Sequence, residues 1–503
     1  MKKVTFILMI IFLLFAITGC TFDGLDGNKG VGKSYPTRKF WAQNAVTKEF
    51  YQLTAEKLTE NSRCEVWAEK GSGVTEKKAN LIADEYANNI YTKMIDNFGW
   101  EENIPLYNQE NEIDRYKKMG TMDYAHALAT GSMSDAKLTI LLLDIKDSYQ
   151  PGEDESYVAG YFLEYDLFSA NYVPPEYKAN ELDMIYIDTY PGFNRDIKEV
   201  CTTLAHEMQH LMNFASTILY REAPMETWID EGLSSAAERV YSGKHSMDRV
   251  DWFKLNGDGE DSKGKIDKGN NFYVWGNRRT ESDPYPILDD YATVYLFFQW
   301  IRLQSSDDIY KGIIRSENYD SQAIITAFND IKSSSYSDWE SMLKDWLKAN
   351  NLNEPSGRTG YMNDPTLKDI KVHYAPAETK TLGLYPGEGV YSYADNNPSV
   401  SGTGNIKYEY LSGTKTLLTY NANLTNFVEK PKSIDTLIED GTTTGVKPPA
   451  ASIVITGSIN LKRGSSKISG PFPIGMGDVI RGNKINNPLI FNSLKIERVL
   501  IDE

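Results

Sequence analysis

One segment of the chain has residue types and a spacing suited to metal chemistry: His206-Glu207-Met208-Gln209-His210. The protein holds only 5 histidines, and at that frequency a chance H-E-x-x-H anywhere in it is on the order of a few in a thousand. On a helix, at about 100° per residue, His206 and His210 stand one above the other, while Leu204, Met208, Leu211 and Ala215 fall along the opposite stripe. One face is therefore expected to pack and the other to present two imidazoles. Both can bind a single zinc ion at about 2.0 to 2.1 Å. Glu207, one residue on, points beside such an ion, where a general base for a metal-bound water belongs.

Two histidines leave a catalytic zinc short of the three protein ligands it usually takes. The extension that supplies a glycine and a third histidine soon afterwards is absent, because the chain continues Leu211-Met212-Asn213-Phe214-Ala215-Ser216. Cys201 lies about 140° around the helix from His206 and does not join. Further on, Glu231 stands inside Trp228-Ile229-Asp230-Glu231-Gly232-Leu233-Ser234-Ser235-Ala236-Ala237-Glu238. As a helix, this segment has an apolar stripe of Ile229, Leu233, Ala236 and Val240, with Glu231 and Glu238 two turns apart on the other face. The acidic pair reads either as a solvated face or as functional, with Glu231 the third ligand and Glu238 orienting a ligand histidine through its other ring nitrogen. Asp230 competes for either role. A reaction through an oxyanion also needs a hydrogen-bond donor, for which Tyr291, Tyr295 and His245 are candidates, Tyr291 foremost. His126 and His373 read as ordinary structural or surface histidines. The acidic stretch at Asp258, Glu260 and Asp261 fails the EF-hand calcium template, since Asp261 stands where the turn glycine belongs, and reads as a solvated loop.

HEMQH followed by WIDEGLSSAAE resembles the glutamate-zincins. With YVAGYF, MIYIDT and the later Tyr291-Ala292-Thr293-Val294-Tyr295-Leu296-Phe297-Phe298, the chain is similar to the hyicolysin-type neutral metalloproteinases of bacteria over roughly residues 75 to 350. The resemblance implies that His206, His210 and Glu231 bind one catalytic zinc ion and that Glu207 is the catalytic glutamate, activating water for hydrolysis of peptide bonds. Zincin aminopeptidases hold the free amine with a Gly-x-Met-Glu-Asn segment. Its nearest counterpart, Gly120-Thr121-Met122-Asp123-Tyr124, matches poorly, which favours an endopeptidase. The competing reading is a lipid-anchored surface adhesin or binding lipoprotein with a vestigial zincin domain. The survival of Glu207 between two intact ligands argues for the enzyme.

Around these residues the expected fold class is α+β: a zincin-type domain with a mixed sheet and active-site helices over residues 38–355, then an all-β, sandwich-like module over 366–503. Within the first domain an α/β part, 38–197, precedes a helical part, 198–355. From about Phe40 to Gly99 the pattern reads as mostly helical, with Ala79, Ile82, Tyr86, Ile90 and Met94 spaced by three and four. Leu138–Leu143, Tyr157–Phe162 and Met184–Ile187 read as strands. After residue 355, short Thr, Val, Tyr and Ile segments alternate with Gly, Asn, Pro and Ser, the signature of the all-β module, whose ligand the sequence does not name.

Two lysines, an apolar run from Val4 to Ile17 and then Thr18-Gly19-Cys20 read as a signal peptide ending in a bacterial lipobox, residues 1–20, with Cys20 acylated. Residues 21–37 are glycine-rich and suit a flexible tether. This implies an anchored protein on the cell envelope, outside the cytoplasm, acting on proteins or peptides. A formal charge of −17 disfavours nucleic acid and unassisted adhesion to anionic lipid. A hydrophobic fraction of 41% over 503 residues excludes a disordered chain. Cys64 and Cys201 are left as either a disulfide or two buried thiols.

Overall fold

The computed structural model describes residues 34–99, 137–151, 156–167, 175–214, 225–254, 286–332, 335–372, 387–398, 405–422 and 456–461, with residues 170, 216, 272, 273, 374 and 384. The described residues from Thr37 on belong to one compact unit. Cys20, the lipobox, Gly120–Tyr124, His126, His373 and the acidic stretch at Asp258 to Asp261 lie outside the described residues.

The chain is a mixed α/β protein. It begins with strands β1 (Thr37–Gln43), β2 (Phe50–Glu60) and β3 (Cys64–Glu69), followed by helices α1 (Glu76–Glu85) and α2 (Tyr91–Phe98), which are joined by a π turn. The helical reading of residues 40–69 is thus corrected to three strands, while 76–98 is helical as expected. The reason lies in β2. Its buried residues are Leu53, Ala55 and Leu58, and pairing with β3 shifts between Lys57 and Thr59. Leu58 is the extra residue of a bulge, so the inward positions lose the strict alternation that marks a strand and mimic helical spacing.

Strands β4 (Leu138–Leu143), β5 (Ser156–Phe162) and β6 (Met184–Asp188) complete the sheet with β10 (Thr456–Leu461), in the order β1-β2-β3-β4-β6-β5-β10. β3, β4 and β6 run parallel, and β5 returns antiparallel beside β6. β4 and β6 are buried throughout, as continuous apolar strands in the centre of a covered sheet must be.

Helix α3 (Ile197–Phe214) carries the H-E-x-x-H segment and packs on this sheet. Gly160 in β5 permits the approach: a Cβ there would meet the Tyr186 carbonyl at 2.8 Å and Thr203 of α3 at 2.9 Å. The other face of α3 is covered by α4 (Thr227–Ser242), and α4 in turn by α6 (Pro286–Gln304). Gly232 lets α4 and α6 close up, because a Cβ at that position would lie 2.2 Å from the Phe298 ring. The short α5 (Met247–Lys254) lies against α6. Helices α7 (Ile309–Arg315), α8 (Ser321–Ile331) and α9 (Trp339–Leu352) finish the helical region. Its core is aromatic, with Trp228, Phe272, Phe297, Trp339 and Trp346 in mutual edge and tilted contacts.

Strands β7 (Gly389–Tyr393), β8 (Ile406–Leu411) and β9 (Thr416–Asn421) form a separate antiparallel sheet in the order β7-β9-β8. It docks on α9, where the Tyr391 hydroxyl donates to the Leu347 carbonyl at 2.7 Å and Lys348 pairs with Glu409 at 2.7 Å. Of the region expected as an all-β module, residues 423–455 and 462–503 lie outside the described residues. Cys64 and Cys201 are buried free thiols, so the disulfide alternative falls. No helix among the described residues is long and apolar enough to cross a membrane.

Candidate metal centre

The helical period places His206 and His210 on one face of α3, with ring centroids 4.8 Å apart. That face is not open, since every residue from Thr203 to Asn213 is buried. The expectation of one packed and one presented face gives way to a helix buried all round, because α4 brings its own polar face against the histidines.

Glu231 and Glu238 point inward from α4 and are buried, which removes the solvated-face reading. Glu231 Oε2 lies 3.5 Å from His206 Nε2, and Glu231 Oε1 lies 3.6 Å from His210 Nε2. None of these four atoms has a hydrogen-bond partner in the protein. Buried polar atoms are nearly always paired, so four orphans around one point mark a place for something else. Two donors about 2.0 to 2.1 Å from a tetrahedral ion stand about 3.3 to 3.4 Å apart, within a few tenths of the observed separations. His206, His210 and Glu231 are the one group of three metal-competent side chains converging in this way among the described residues. Two imidazoles and one carboxylate, with the fourth side left to water or substrate, suit a catalytic zinc ion in donor type and number.

The outward nitrogens are all committed. His206 Nδ1 is 2.8 Å from Glu238 Oε1. His210 Nδ1 is 3.0 Å from Asp230 Oδ2 and 2.9 Å from the Ser234 hydroxyl. Glu238 is ionised: burial works to raise it, but Arg249 and then His206 hold it down at about 2. An ionised carboxylate only accepts, so in neutral His206 the proton sits on Nδ1 and the Nε2 lone pair faces the cluster. Asp230 does the same for His210 and is itself held by Asn213 Nδ2 at 2.5 Å. The surplus of carboxylates gives the site an appetite for cations. Burial pulls the His206 titration down, yet Glu231 and Glu238 outweigh it and raise it to about 10.

Glu207 follows His206 on α3 and is fully buried, and its charge acts on both His206 and Tyr291. Tyr291, on α6, has its ring 6.5 Å from that of His206 and is 2% exposed. Burial first, then the charge of Glu231, pushes its hydroxyl well above the usual phenol range, so it stays a donor at neutral pH. The other two donor candidates are engaged elsewhere. His245 Nδ1 is 2.9 Å from the Tyr295 hydroxyl, His245 Nε2 is 3.2 Å from Asp364, and the Tyr295 hydroxyl also accepts from the Ser246 amide.

Two participants escape a reading of the sequence. Ser234 sits three residues after Glu231 on the same face of α4, so helical spacing alone could have found it. Arg249, whose Nη2 donates to Glu238 Oε1 at 2.5 Å, comes from another helix, and no spacing signals it.

Over 302 residues, the chain is 28% identical to the neutral metalloprotease ShpI of Staphylococcus hyicus, an alignment covering 58% of this chain and 57% of that protein. The chain thus spans little more than half the length of that relative. No family model matches. The likeness, together with the buried His-His-Glu group, supports a metalloprotease family.

Proposed function

We propose that the chain is a zinc-dependent endopeptidase of the gluzincin type, with His206, His210 and Glu231 as ligands and Glu207 as general base. The observation that carries the reading is the convergence of orphaned His206 Nε2, His210 Nε2 and both Glu231 oxygens beside Glu207 in a buried centre. A zinc ion held there would supply Lewis acidity, polarising a peptide carbonyl and acidifying a water molecule. Glu207 takes the proton of the attacking water as the C–O bond forms, then delivers it to the amide nitrogen as the C–N bond breaks. Tyr291 donates its hydroxyl hydrogen to the oxyanion of the tetrahedral intermediate. Glu238, Asp230 and Ser234 keep the two imidazoles in register. The poor match of Gly120–Tyr124 to an amine-holding segment supports internal cleavage.

The test is hydrolysis of an unstructured protein such as casein by the purified, zinc-loaded chain beside Glu207→Gln. The variant is expected to lose about 10²- to 10⁴-fold in kcat while keeping its zinc. Equal hydrolysis by both proteins would sink the assignment.

The site of action belongs to the same proposal: export through residues 1–20, acylation at Cys20 and hydrolysis of proteins outside the cytoplasm. Its support is the Lys-Lys start, the apolar run and Gly19-Cys20. A Cys20→Ser protein should shift from the membrane pellet to the soluble fraction, and one that still sediments with membranes overturns the anchor.

A further inference from the structure

We infer that Arg249 is a positioning residue that ties the oxyanion donor Tyr291 to the metal ligand His206 through Glu238. The catalytic half of this inference rests on the peptidase reading, and the metal-binding half does not. Arg249 lies on α5, and its side chain is 10% exposed. Its Nη2 donates at 2.5 Å to Glu238 Oε1, the same oxygen that meets His206 Nδ1 at 2.8 Å. Its guanidinium carbon stands 4.6 Å from the centroid of the Tyr291 ring. One cation therefore contacts a carboxylate from α4 and a ring from α6. Both of those contacts lead to the place where Glu231 and the two imidazoles converge.

The choice of side chain follows from the geometry. A guanidinium can direct an N–H into a carboxylate and lay its flat face on an aromatic ring at once, whereas an ammonium is a point charge on a flexible stem. Desolvating a guanidinium so far is expensive, and breaking a buried ion pair costs more than the pair contributes. Its burial here is matched to two groups whose orientation matters for chemistry. Without Arg249, Glu238 Oε1 loses one of the two donors that fix it, and the acceptor of His206 Nδ1–H is free to swing. The Tyr291 ring loses the cation it lies against, and its hydroxyl moves with it. A misplacement of about 1 Å at a reacting centre can cost on the order of 10²-fold.

The experiment uses the full chain with Arg249→Met, Arg249→Lys, Tyr291→Phe and the double variant Arg249→Lys with Tyr291→Phe. Zinc dissociation constants come from chelator competition, and kcat and KM from a fluorescent peptide. Loss of a group that orients a ligand weakens metal binding about 10- to 100-fold, and both Arg249 variants are expected in that range. Their kcat should fall about 10-fold or more with KM within about twofold. Phe keeps the ring and loses the hydroxyl, so Arg249→Lys should cost at least about threefold less in the Tyr291→Phe background than in the parent. A folded Arg249→Met protein with zinc affinity and kcat within twofold of the parent overturns the inference. Strictly multiplicative losses in the double variant overturn the link to Tyr291. Should Arg249→Met fail to fold, Arg249→Lys decides by the same criteria. If the parent hydrolyses nothing, the peptidase reading fails, while the zinc constants still decide the link through Glu238 to His206.

Discussion

Two histidine sites in this protein, one buried and one partly buried, treat their ring nitrogens in opposite ways. At His245 both nitrogens meet a partner, the Tyr295 hydroxyl at 2.9 Å and Asp364 at 3.2 Å. At His206 and His210 only the Nδ1 side is satisfied, and the two Nε2 atoms face Glu231 with no hydrogen bond. A carboxylate neighbour is common to both sites, so that feature does not separate structure from function. What separates them is closure. A site whose polar atoms are all paired within the protein is complete as it stands. One that holds several unpaired atoms around a shared point leaves them for a ligand, and the outward bonds serve to aim them.

Removing one histidine from each site should separate the two most strongly. His210→Ala should abolish hydrolysis and leave less than one zinc per chain at micromolar metal, read by elemental analysis. His245→Ala should keep its zinc and its kcat/KM within about twofold. It should instead lose about 1 to 3 kcal/mol of unfolding free energy in a denaturant titration, because Tyr295 and Asp364 are left with unmet partners. If His245→Ala lost zinc, or His210→Ala kept both zinc and activity, the division of roles would be wrong.

A smaller effect should appear in acid. The Asp364 carboxyl is partly buried, which alone would raise it, but the bond to His245 and backbone amides bring it from 3.8 down to about 2. A depressed carboxyl contributes stability that is full above its unfolded value and is lost as pH falls through the folded one. The stability gap between the parent and Asp364→Asn should therefore narrow as pH falls between about 4 and 2. A gap that did not narrow below about pH 4 would show that Asp364 does not work as an ionised acceptor.

Much of the metal centre was legible in the sequence because it is built on two helices, and helical spacing is a geometric statement. The i, i+4 pair fixes His206 over His210, and the same period puts Glu231 and Glu238 together. Asp230 follows from its neighbour Glu231, whereas Ser234, which the same spacing places on that face, was not singled out. What the period does not show is which helix meets which, so Arg249 on α5 and the engagement of His245 with Asp364 had no signal in one dimension. The β-region was misread for a related reason. The bulge at Leu58 changes the spacing of buried residues in β2, and a one-dimensional period cannot tell a bulged strand from a helical face. The strands 138–143, 156–162 and 184–188 were readable because they are short, apolar and flanked by turn residues.

Three side chains, and not two, are proposed to hold the metal. Zinc per chain and zinc affinity, measured on the parent and on Glu231→Gln after dialysis against a weak chelator, decide between two ligands and three. One tightly held zinc is expected in the parent and its loss in Glu231→Gln, since an amide supplies neither the charge nor the paired oxygens that face His206 Nε2 and His210 Nε2. One zinc held equally tightly by both proteins would contradict the third ligand.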